Sequence, residues 1–211
     1  MIGDTITRKE VETKLASVGD YVKMDFLQQV LKKNIDFDTK RFVMTKLAFI
    51  YETKQMFLEA GKLMRTVADI NTTFEGKYND FAKSMELYIK AGEFDEADLS
   101  FKKALACSNP KQKDSLKKMI KETYKTRAAE MIKKDKRKNA ADIYERLISL
   151  PFLDVVERKN AQAALLQLYQ KLGKIREFYA LDREIKNPQP MKPQVEEKKR
   201  YDDFNIDDLL K

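Results

Sequence analysis

Apolar residues recur along most of this chain at spacings of three and four, and short polar turns interrupt them. In AGEFDEADLSFKKALACSNP, residues 91–110, the pattern predicts the end of one helix, a turn at Gly92 and a second amphipathic helix closed by Asn109-Pro110. With Ala97 as anchor, Phe81, Tyr88, Gly92 and Phe94 lie sixteen, nine, five and three residues before it, and Phe101 and Ala104 four and seven after. Around Ala60 the corresponding places hold Tyr51, Phe57, Met64 and Val67, with Leu47 and Ala48 thirteen and twelve before it. Around Ala140 they hold Tyr124, Ala128, Met131, Tyr144 and Leu147, and Pro151 ends the unit. Weaker copies surround Met24 (Leu15, Gly19, Tyr21, Leu31) and Phe178 (Tyr169, Gly173, Ile175, Ile185).

The five anchors lie 36, 37, 43 and 38 residues apart. This predicts five helical hairpins, ten helices, over residues 1–186. No hairpin can bury its apolar face alone, so neighbours must stack. Gln28 and Asp182 stand four after the outer anchors, where a polar face is expected at a unit with one neighbour. An irregular helical bundle is the competing reading, and either way the fold is all-α.

The small and aromatic positions Phe81, Tyr88, Gly92, Phe94, Ala97, Phe101 and Ala104 resemble the tetratricopeptide repeat. The resemblance implies a right-handed solenoid of about five antiparallel helix hairpins, whose extended surface suits peptide or helix binding. The longer, irregular units, with an insertion near KQKDSL, look more like the soluble NSF attachment proteins.

Composition narrows the chemistry. There is no His, which removes His-based general bases, catalytic triads and His metal sites. The single Cys107 allows no intrachain disulfide or Cys metal cluster, and its helical context suits a small buried hydrophobe. Asp and Glu are abundant, but none stands out in an apolar context, so neither an enzyme nor a cofactor is expected. The polar start MIGDTITRKEVETK is unlike a signal peptide, and no run approaches the ~20 apolar residues of a membrane span. A cytoplasmic protein without a membrane span is expected.

Net charge changes the picture. The whole chain carries +8, and residues 111–138 alone hold twelve basic and four acidic residues, so the excess sits there. Within it Leu116, Ile120, Tyr124, Ala128 and Met131 form an apolar stripe. Lys117, Lys121 and Lys125 form a ridge beside it, with Lys118 next in sequence. Lys133, Lys134, Lys136, Arg137 and Lys138 follow, placed at a helix C-terminal turn where cations favour the macrodipole. These residues read as a solvated face, a patch for an acidic protein or peptide, or a polyanion site. The tetratricopeptide resemblance implies a carboxylate-clamping place for the ridge. Nucleic acid is the second choice, because the segment is Lys-rich and its one aromatic, Tyr124, belongs to the apolar stripe.

Residues 187–200 are Pro-rich and charged, a predicted linker. Residues 201–211, YDDFNIDDLLK, combine four Asp with Tyr201, Phe204, Ile206, Leu209 and Leu210, a pattern suited to a partner-docking motif. Asp207, Asp208, Leu209 and Leu210 look like the acidic-leucine end with which soluble NSF attachment proteins engage an AAA-type ATPase. The sequence therefore suggests a protein-protein interaction adaptor or scaffold that binds a peptide or helix on its repeats and recruits a second protein through its tail. The alternatives are an RNA- or ribonucleoprotein-associated factor and an ATPase adaptor. Folding of the acidic tail onto the Lys117–Lys121–Lys125 ridge is a further expectation.

Overall fold

The structure is a computed structural model that describes residues 6–187, and the described part is all-helical. The ten helices are α1 (Arg8–Ala16), α2 (Asp20–Leu31), α3 (Phe37–Thr53), α4 (Phe57–Ile70), α5 (Phe74–Ala91), α6 (Phe94–Ala106), α7 (Pro110–Lys133), α8 (Arg137–Ser149), α9 (Val155–Leu172) and α10 (Ile175–Lys186). They fall into two compact units, Met1–Cys107 and Ser108–Lys211. In the first, α3 packs on α1 and α2, and α3 to α6 pack in chain order. In the second, α7 to α10 pack in chain order.

Local chemistry alternates along the chain. Each odd-numbered helix starts at a side-chain cap: Thr7, Asp36, Thr73, Asn109 and Asp154 accept from backbone N–H groups three residues on. Each such cap stabilises its helix by about 1 kcal/mol. No even-numbered helix has one. Four of these five instead follow a common tight turn. The residue five before the anchor is left-handed at Gln55, Gly92, Asp135 and Gly173, with φ of 60°, 89°, 55° and 67°. The next N–H donates back to the carbonyl of Tyr51, Tyr88, Met131 or Tyr169, at 2.9, 3.0, 2.8 and 3.0 Å. This is the Schellman helix ending. The sequence repeat is thus also a repeat of backbone geometry, twice in each unit. Gly19 departs from it: its φ of −76° and ψ of 163° make it the N-cap of α2.

The anchors explain the packing. Ala60, Ala97 and Ala140 are fully buried, and a larger side chain there would overpack a helix contact at a cost of about 1–3 kcal/mol. Beside Ala60, a Cβ on Gly61 would meet the Tyr88 ring at 3.1 Å, so α4 and α5 approach closely there. The first unit's core gathers Val11, Leu27, Val43, Leu47, Met64 and Leu87. In the second unit the expected stripe of α7 (Leu116, Ile120, Tyr124, Ala128 and Met131) is buried along its whole length. α7 is also the longest helix, which accommodates the insertion near KQKDSL.

Ion pairs connect alternate helices. Glu52 of α3 accepts from Lys83 and Lys90 of α5 at 2.9 and 3.1 Å. Asp69 of α4 pairs with Lys103 of α6 at 2.9 Å, and Arg65 pairs with Glu96. The polar outer face expected at the end units is only partly present. Gln28 donates to the Tyr51 hydroxyl at 2.6 Å, and Asp182 pairs with Lys186 at 2.8 Å. Tyr21 and Val22 on α2, and Ile175 and Tyr179 on α10, are nevertheless exposed apolar groups.

Candidate functional site

The basic segment divides into two places with different chemistry. The first is the ridge on α7. Lys121 and Lys125 converge on one carboxylate, Glu157 of α9, with Nζ–O distances of 2.6 and 2.7 Å. Lys125 also reaches Glu122 at 2.9 Å. Lys117 lies with its Nζ 5.9 Å from the Phe152 ring centre, and Lys118 is exposed.

Glu157 is held in place by its helix. It is the third residue of α9, and its backbone N–H donates to the Asp154 cap at 2.8 Å. That position also sets the carboxylate in the positive field of the helix N-terminus. Partial burial works against its charge, but hydrogen bonds from Lys121 and Lys125 outweigh this and hold the carboxyl at about 2, below its ordinary value of 4.5. The Lys125 ammonium is raised in turn, chiefly by its hydrogen bonds to Glu157 and Glu122. Lys121 and Lys125 are thus engaged within the protein, and this carboxylate stands where an acidic ligand for them would sit.

The second place is the α7–α8 turn. Lys133 ends α7, Lys134 is its C-cap, Lys136 is the N-cap of α8, and Arg137 and Lys138 open α8. All five are exposed. Asp135 pairs with Arg137 at 2.9 Å. No described acid forms an ion pair with Lys133, Lys134, Lys136 or Lys138. The expectation that this whole run complements a helix C-terminus needs correction. The turn at Asp135 splits it, so only Lys133 and Lys134 sit at the favourable end of α7. Lys136, Arg137 and Lys138 crowd the positive end of α8, where cations oppose the macrodipole. The first turn of α8 has no acid, whereas those of α2, α4, α6 and α10 each carry at least one.

Cys107 caps α6 half-buried, and burial raises its thiol, which opposes a reactive thiolate. Among the described residues no acidic or Cys cluster could hold a metal ion, and no helix is long and apolar enough to cross a membrane. A cleft of about 500 Å³ between α1, α2 and α3 is lined by Leu15, Phe42, Phe49 and Ile50, with charges of both signs. The tail residues Tyr201, Phe204, Ile206, Leu209 and Leu210 lie outside the described residues.

Sequence reasoning missed Glu157. Its signal was the D-x-x-E spacing of Asp154 and Glu157 at a helix start, which places a carboxylate on the first turn. No family model matches the chain, and no curated protein and no solved structure is significantly similar to it.

Proposed function

We propose that this protein is a non-enzymatic interaction adaptor, a tetratricopeptide-like right-handed array of five helical hairpins. It takes an acidic protein or peptide segment on the basic α7–α8 turn and recruits a second protein through residues 201–211. The observation that carries this reading is the turn itself. Five exposed cations stand there against one acid, and three of them occupy a helix end where they weaken the fold. The array is supported by the four equivalent Schellman turns, the alternation of capped and uncapped helices, and ion pairs that skip one helix.

An acidic protein segment fits better than nucleic acid. Tyr124 is buried, and the exposed stretch 132–139 has no aromatic ring on which a base could stack. The test is a fluorescence anisotropy titration of the full-length protein with an Asp/Glu-rich peptide and, separately, a single-stranded RNA of equal charge. Tighter peptide binding that falls on Lys133→Ala, Lys134→Ala, Lys136→Ala and Lys138→Ala together supports the reading. RNA bound tightly and the peptide not at all overturns it in favour of a ribonucleoprotein role.

A further inference from the structure

Among the described residues, none covers one face of helix α10, which combines apolar and cationic groups. Ile175 and Tyr179, one turn apart, are 65% and 62% exposed. Arg176, Arg183 and Lys186 are exposed on the same side by helical spacing. Glu177 and Glu184 fall on the other flank, and Asp182 is engaged by Lys186. The opposite side, through Phe178, Leu181 and Ile185, is turned inward. An apolar pair bordered by cations calls for a partner that alternates acids with large apolar residues.

We infer that this face is covered by the chain's own C-terminal segment, residues 201–211. Phe204, Leu209 and Leu210 pack on Ile175 and Tyr179, and Asp207 and Asp208 meet Arg176 and Arg183. Composition matches on both counts, since the segment carries four Asp and five large apolar residues. Reach matches too. The twelve residues of α10 span about 18 Å. A segment of fourteen residues, the length of 187–200, can reach at most about 50 Å. A tether of that length holds the segment near α10 at roughly millimolar effective concentration, so even a weak intrinsic affinity keeps it docked. The lysine ridge is the poorer place for this segment, because Glu157 already occupies Lys121 and Lys125. This contact needs no outside partner and stands apart from the adaptor reading. If both hold, a protein that binds the tail must first displace it from α10.

The experiment is hydrogen exchange on the full chain, read by mass spectrometry over residues 175–186. Phe204→Ser, Leu209→Ser and Leu210→Ser together are expected to speed exchange in α10 roughly tenfold and leave α7 unchanged. Arg176→Glu with Arg183→Glu should do the same, and adding Asp207→Lys with Asp208→Lys should restore protection. Unchanged exchange in α10, or no rescue by the reversed charges, overturns the inference. Protection that fades on dilution also overturns it and assigns the face to a second copy of the chain.

Discussion

The α7 ridge and the α7–α8 turn are neighbours in sequence and similar in composition, yet the fold treats them in opposite ways. On the ridge, Lys121 and Lys125 are consumed by Glu157, and their charge ties α7 to α9. At the turn, Lys133, Lys134, Lys136 and Lys138 meet no described acid and three of the cations work against α8. A run of lysines is therefore not one functional unit. What separates the two parts is whether a distant carboxylate arrives, and whether the helix end they occupy favours or opposes their charge.

The largest expected effect tests the turn. Replacing Lys133, Lys134, Lys136 and Lys138 by Ala should weaken binding of an acidic peptide roughly tenfold to a hundredfold at physiological salt, and more at low salt. Stability, followed by urea unfolding, should move by less than about 0.5 kcal/mol, because these groups are exposed. If Lys121→Met with Lys125→Met abolished binding and the turn variant did not, the roles assigned to the two regions would be reversed.

Glu157→Gln tests the ridge. Its side chain is 20% exposed and that of Lys121 16%, so the pair is screened, but incompletely. Loss of the carboxylate charge should destabilise the protein by about 1–2 kcal/mol, less than the full cost of breaking a buried pair. The pH dependence has a definite sign. Because the folded-state value of about 2 lies below 4.5, the contribution is fully present above about pH 4.5 and disappears as pH falls through 2. The stability difference between wild type and Glu157→Gln should therefore shrink over that window. A difference that stays constant from pH 6 to pH 2 would show that the two lysines do not stabilise the carboxylate.

Much of this was legible in the chain, and what was not has a physical reason. The anchors Ala60, Ala97 and Ala140 announce close helix contacts through their size, and Tyr51, Tyr88 and Tyr169 mark the carbonyls that close three of the four turns, with Met131 at the fourth. Gly92 and Gly173 advertise a left-handed residue. Gln55 and Asp135 do not, because the Schellman geometry imposes that conformation on whatever residue stands there. Gly19 misleads in the other direction, since glycine also serves as an N-cap. The ridge was visible as a period of four, but its counter-charge lies 36 and 32 residues away, beyond any local pattern.

Asp135→Gly acts on the turn from within. It relieves a left-handed non-glycine residue and forfeits an exposed ion pair with Arg137. The balance should raise stability by about 0.5–1 kcal/mol. It also removes the turn's one acid, so affinity for an acidic peptide should rise a few-fold. Equivalent left-handed relief at Gln55→Gly should raise stability without touching affinity, which separates the backbone effect from the charge effect.

The smallest expected effect is the most discriminating. Lys138 lies in the first turn of α8, where a carboxylate would complement the helix dipole. Lys138→Glu should therefore stabilise the protein by about 0.3–1 kcal/mol in urea unfolding at low salt while weakening the acidic peptide several-fold. At the ridge, exchanging Lys121 for Glu should lower stability, because it sets a second carboxylate against Glu157. A gain in stability at position 138 means the native lysine costs the fold something, as a residue retained for binding would. A loss would mean that Lys138 is held by the structure after all, and the turn would join the ridge as a scaffold of charges with nothing left to offer a ligand.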